Sequence, residues 1–155
     1  MERTPPSKPV APTPAKSALN VTAVYQDAWG REWATELWLR VTQMMGSDAI
    51  ANTGWDLVEL NRPEVFSEAV SAAAIADVLV ISIHAGEQLP PPLCAWIDAW
   101  LPRRQRQDGA LIALLGTAAG QPDSLSKQTE EHLSAVARRG RLDFLLREHI
   151  VALPL

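Results

Sequence analysis

From Val78 to Ile83 the chain carries an almost unbroken run of large aliphatic side chains, Val-Leu-Val-Ile-Ser-Ile, introduced by Ala76-Asp77 and closed by His84. A strand with one face in water alternates apolar and polar residues. One that does not alternate must be covered on both faces, as an interior strand of a parallel α/β sheet is. Behind it comes a short loop, Ala85-Gly86-Glu87-Gln88-Leu89, and then Pro90-Pro91-Pro92. Proline suits the first positions of a helix, where its missing N–H would have no partner. Open α/β sheets hold their ligands in the loops that follow such strands. The stretch thus points to an architecture and to the place of a site, but to no particular reaction.

The rest of the chain keeps a strand–helix rhythm around it. Asn20–Tyr25 is a predicted first strand, followed by the loop Gln26-Asp27-Ala28-Trp29-Gly30. Arg31–Met45 is a predicted amphipathic helix closed by Gly46, with Trp33, Ala34, Leu37 and Val41 on one arc and Glu32, Glu36 and Arg40 outside it. Thr53-Gly54 marks a turn, and Trp55–Leu60 a second strand whose Asp56 and Glu59 suit a sheet edge. Pro63 opens a second helix with Phe66, Ala69, Val70 and Ala73 facing inward; Pro92–Leu101 is a third. Ala110–Leu115 is another wholly apolar strand, ending at Gly116-Thr117-Ala118-Ala119-Gly120. A fourth helix over Asp123–Arg139 aligns Leu125, Thr129, His132, Leu133 and Val136 and stops at Gly140. Leu142–Leu146 is the last strand, and Arg147–Leu155 is too short for a full final helix. Strands alternating with helices imply an α/β fold, a three-layer α/β/α domain with a five-stranded parallel sheet. Right-handed crossovers, with the two most apolar strands central, favour the strand order 2-1-3-4-5.

Composition narrows the function classes. At 155 residues, 47% hydrophobic and 21% charged, the chain makes one ordinary globular domain. Residues 1–17 hold five of the twelve prolines and almost no large apolar side chain, so they are expected as a disordered tail ahead of a domain over 18–155. A net charge of −4 speaks against a nucleic-acid partner. The basic clusters Arg103-Arg104 and Arg138-Arg139-Gly140-Arg141 fall at helix ends, where cations favour the helix dipole. The single cysteine, Cys94, excludes an intrachain disulfide and a cysteine-based zinc site, and its place beside Ile97 and Leu101 suggests a buried, inert thiol. His84 and His132 have no third ligand at metal spacing, so no metal is expected. No apolar run reaches the roughly 18 residues a membrane helix needs, and no signal-peptide core is visible. A cytoplasmic protein with no membrane partner is the expectation. Six tryptophans are many for this length; Trp33 and Trp96, at the margins of their apolar arcs, suit a homo-oligomer or protein-partner surface.

The segment Ala76–Ser82, a loop reaching Leu89-Pro90, and a helix carrying Trp96-Ile97-Asp98-Ala99-Trp100-Leu101 together resemble the flavodoxin-like superfamily. The branch most similar is that of NAD(P)H-dependent FMN reductases, whose second strand Gly54–Leu60 also resembles. The likeness covers residues 19–146 in layout and 76–101 in motif. It implies FMN as cofactor, a flavin phosphate in the loop after the first strand, and an isoalloxazine held by a Pro-x-Tyr-Asn-Gly loop after the third. Here the phosphate loop is Gln26–Arg31, without a hydroxyl before Thr35 and with Asp27, which repels phosphate; the flavin loop is His84–Gln88, without tyrosine or asparagine. A phospho-receiver pattern is not met either, because His84 stands where the phosphate-accepting aspartate belongs and Arg147 where the lysine belongs.

The ends of strands one, three and four gather Asp27, Trp29, Gly30, Arg31, His84, Gly86, Glu87 and Thr117 as ligand-binding candidates. Gly30 and Arg31 either bind a small anion at a helix N-terminus, or serve the turn and neutralise Asp27. His84, beside carboxylates, either works as an acid or base near neutral pH, or closes its strand by bonding backbone. Two functions follow. One is a flavodoxin-like domain without a flavin site, working as a regulatory or protein-interaction module. The other is an FMN-dependent oxidoreductase with an atypical pocket over 26–31, 84–90 and 116–121.

Overall fold

Strand β3 (Val78–His84) runs through the middle of a five-stranded sheet, and from Leu79 to Ile83 every residue is buried. The computed structural model describes residues 19–45, 50–86, 88–104, 108–118, 120 and 122–151; the expected tail at 1–17, Gly46 and Glu87 lie outside them. Around β3 the elements are β1 (Leu19–Tyr25), α1 (Ala28–Met45), β2 (Ile50–Asp56), a 3-10 turn (Leu57–Asn61), α2 (Pro63–Ile75), α3 (Pro91–Trp100), β4 (Ala110–Ala118), α4 (Asp123–Arg139) and β5 (Asp143–Val151). All neighbouring strands are parallel, in the order β2-β1-β3-β4-β5. This is the flavodoxin-like arrangement expected from the strand–helix rhythm.

Alternation along each strand divides the core in two. Leu79, Ile81, Ile83, Leu111, Ala113 and Leu115 face α2, α3 and α4 in the larger cluster, which also takes in Trp96 and Trp100, both fully buried. Val21, Ala23, Val80 and Leu114 face α1 in a smaller one with Ala34, Trp33 and Leu37. Each fully buried aliphatic side chain contributes on the order of 1.5–3 kcal/mol, so the three-helix face carries most of the apolar stabilisation. Trp96 lies at the centre of its cluster rather than at a margin, edge-on to Trp100 with ring centroids 5.6 Å apart.

Asp77 stitches the N-terminal ends of three strands. Its N–H donates to the Asn20 carbonyl (2.7 Å), its carboxylate accepts the Asn20 N–H (2.8 Å), and its carbonyl accepts the Ala110 N–H (3.0 Å). The Ala-Asp motif before β3 is thus a clamp of the fold, at the end of the sheet opposite the ligand-binding side.

Element boundaries differ from expectation by three residues or more in four places. Helix α1 begins three residues early, at Ala28, because Asp27 caps it. Strand β2 precedes the expected one: Thr53-Gly54 lies inside it, where an added Cβ at Gly54 would run into the Tyr25 hydroxyl. Residues 57–61 form the 3-10 turn instead, entered where Asp56 N–H donates to Glu59 Oε1 at 2.9 Å. The edge position of β2 is as expected; of the two residues that signal it, Asp56 closes the strand and Glu59 lies beyond it. Strand β4 continues through Ala118, so Gly116 and Thr117 are strand, not loop. Residues 147–151 lengthen β5.

Candidate functional site

The C-terminal ends of β1 and β3 are joined by backbone and by one side chain. Gln26 N–H donates to the Ser82 carbonyl (2.9 Å), and His84 N–H donates to Gln26 Oε1 (2.8 Å). From this junction α1 departs. Asp27 is its N-cap: Oδ1 accepts the Gly30 N–H at 3.0 Å, satisfying one of the donors that a helix start leaves open. Gly30 is buried inside the first turn, its carbonyl accepting the Ser82 hydroxyl at 3.1 Å. A Cβ there would stand 2.9 Å from Ser82 Oγ and 3.1 Å from the Ser82 carbonyl oxygen. Gly30 therefore allows the helix to lie against β3, rather than allowing a turn.

The other oxygen of Asp27 meets His84. Nε2 and Oδ2 are 2.7 Å apart, and because an ionised carboxylate can only accept, the ring nitrogen is the donor whenever Asp27 is ionised. The imidazole also stacks on the Trp29 indole, with centroids 5.1 Å apart and planes 26° apart. Trp29 in turn meets Trp33 at 5.2 Å. Asp27 and His84 remain 47% and 35% exposed, so the pair faces solvent. Partial burial pushes the Asp27 carboxyl up, but the Gly30 N–H, the His84 ring and the Trp29 N–H outweigh it and hold the group below its ordinary value.

The other expected members scatter. Arg31 turns to Asp56 (3.4 Å) rather than to Asp27. Asp56 also stands beside Tyr25, whose hydroxyl is pushed up first by burial and then by that carboxylate. Gly86 N–H donates to the hydroxyl oxygen of buried Thr129 at 3.0 Å, and that hydroxyl lies 2.9 Å from the Gly86 carbonyl, so this loop is pinned to α4. Thr117 is one register position past Gly116, the partner of His84, and strand alternation sends it to the opposite face. The structure thus unites Asp27, Trp29, Gly30 and His84 and separates Arg31, Gly86 and Thr117 from them. Gln26, Ser82 and Thr129 are positioning residues absent from the expected set. Of the residues at this junction, only Asp27 carries a usable signal in sequence, an N-cap residue one turn ahead of an apolar helical pattern.

A second concavity, about 490 Å³, lies between α3 and α4 over Leu89, Cys94, Ile97, Asp98, His132 and Arg139. Cys94 is half-buried there, its thiol pushed up by burial and then by Asp98, which suits an unreactive sulfur. His132 is exposed, not packed, because the α4 stripe buries Thr129, Leu133 and Val136 and stops short of it. Among the described residues no three His, Cys, Asp or Glu side chains gather as metal ligands, and no helix is long and apolar enough to cross a membrane.

Topology and site position together define a flavodoxin-like α/β domain. Among solved structures the chain resembles an oxidoreductase from Corynebacterium diphtheriae (TM-score 0.57, 16% identity, over 88% of this chain and 82% of that one). It also resembles the Flv1 flavodiiron core of Synechocystis (TM-score 0.51, 15% identity, over 89% of this chain), spanning only 31% of that chain. At such identities the likeness establishes the fold and not the chemistry. No protein-family profile matches the chain, and neither does any curated protein sequence.

Proposed function

We propose that this chain is a cytoplasmic flavodoxin-like domain that works without flavin, as a regulatory or protein-interaction module. One observation carries the reading: the start of α1, where the family resemblance would put the flavin phosphate, already holds the chain's own Asp27 carboxylate on the Gly30 N–H. A phosphate entering there meets a negative charge instead of open N–H donors. The half-buried Trp29 and Trp33 beside it, in tilted ring contact, are the residue types that protein interfaces favour. The His84–Asp27 pair orients these rings and fixes the junction of β1 and β3, and in this reading it is not catalytic.

The second reading, an FMN-dependent oxidoreductase with an atypical pocket, is favoured by the Trp29–His84 stack, a flat aromatic surface against which an isoalloxazine ring could lie. Colour and heat separate the two. Purified protein is expected to be colourless, with a melting temperature that does not move in excess FMN. Yellow absorbance in the flavin band, or a melting shift saturating with FMN, would overturn the first reading in favour of the second.

A further inference from the structure

We propose that the open edge of β5 pairs antiparallel with β5 of a second copy of this chain, about a twofold axis at Leu145, giving a continuous ten-stranded sheet. The proposal does not depend on whether flavin binds. Strand β5 lies at the end of the sheet, bonded to β4 on one side and, among the described residues, to no strand on the other. Asp143 N–H donates back toward the β4 side, to Gly109. Alternate residues therefore turn their backbone N–H and C=O outward, which selects Phe144, Leu146 and Glu148 as the bonding positions of the open edge.

That constraint leaves few twofold registers, and side-chain chemistry separates them. An axis at Arg147 sets arginine against arginine, and one at Glu148 sets glutamate against glutamate. An axis at Phe144 puts Asp143 against Leu145, and one at Leu146 puts Phe144 against Glu148. An axis at Leu145 pairs Phe144 with Leu146 through backbone bonds in both directions and lays Leu145 on its own copy. It also sets Asp143 opposite Arg147 twice. Both charged residues are exposed and unpaired among the described residues, and Leu145 is 57% exposed between half-buried Phe144 and Leu146. Glu148 then falls opposite Leu142, beside Arg141 and the basic end of α4. Charges on an edge strand ordinarily discourage pairing. Here their spacing makes the edge complementary to itself. On the other edge, β2, the described residues include the exposed run Asn52, Thr53 and Gly54.

Sedimentation of the full chain across a concentration series tests this. The unmodified protein is expected to dimerise. Arg147→Asp, or Asp143→Arg, is expected to weaken the dissociation constant by about tenfold or more, since two opposite-charge pairs become like-charge pairs. The double variant Asp143→Arg/Arg147→Asp is expected to recover to within about threefold. Separately, Leu145→Cys in a Cys94→Ala background should form a dimer that is lost on reduction, because facing positions of this type lie about 4.5 Å apart at Cα. A monomer at every concentration with no cross-link, or a dimer indifferent to charge reversal, would overturn the proposal. So would a double variant no tighter than the singles. Should a charge variant misfold by circular dichroism, the cross-link decides alone.

Discussion

An aspartate accepts a backbone N–H at each end of the sheet, and the two do different work. Asp77, at the N-terminal end, is half-buried and bonds Asn20, 57 positions away, tying separate strands together. Asp27, at the C-terminal end, bonds Gly30 three positions away and turns its second oxygen outward to a half-exposed histidine. The same hydrogen bond serves global architecture in one place and a local, solvent-facing arrangement in the other. Its weight depends on what would be left unsatisfied without it.

Removing the carboxylates should separate these roles. Asp77→Ala leaves the Asn20 N–H without its acceptor and should cost about 1–3 kcal/mol, seen as a lower urea midpoint with an unchanged slope. Gly30→Ala tests the close approach of α1 to β3: the new Cβ presses on Ser82, and crowding of this kind costs about 1–3 kcal/mol, offset by up to about 1 kcal/mol of helix propensity. Adding Ser82→Ala should recover only part of the loss, because the Ser82 carbonyl oxygen still stands 3.1 Å from that position. Full recovery would mean that the hydroxyl alone sets the spacing. Asp27→Ala should cost about 1 kcal/mol, the usual value of an N-cap, with the sheet intact by far-UV circular dichroism.

The smallest effect is a pH dependence. The carboxyl of Asp27 is held below its ordinary value in the folded chain, so its contribution to stability is complete above the unfolded value of about 3.9. It declines as pH falls through that value and is gone once the folded group protonates. Because Asp27 is nearly half exposed, the change is screened by solvent and small. Asp27→Asn should flatten it, read as the difference between the two proteins' urea midpoints from pH 6 down to pH 3. Equal slopes would show that His84 and Gly30 do not favour the ionised form.

Legibility follows burial. Strands β3 and β4 are visible in sequence because they are covered on both faces, and a short unbroken aliphatic run bounded by turn residues fits little besides a buried strand. Strand β2 is displaced from its expected place because Gly54 carries a turn signal, and only the Tyr25 ring, placed by tertiary structure, makes glycine the fitting residue inside that strand. The expected end of β4 falls three residues short, which costs Thr117 its face: alternation decides such a residue, and an error of one position reverses it. At the site, the neighbourhood of Asp27 and His84 follows from topology. The Thr129 clamp does not, since a threonine on an apolar helical stripe gives no sign of which distant loop it will hold.

The Asp27 cap has a consequence for any anion that approaches α1. The carboxylate is a tethered competitor, present at an effective concentration of about millimolar or above, and dilution cannot wash it out. An external phosphate must displace it directly. Otherwise it must wait for a proton to neutralise it, and the surrounding bonds make that protonation harder than usual. Access to the helix start thus depends on acidity as well as on ligand concentration.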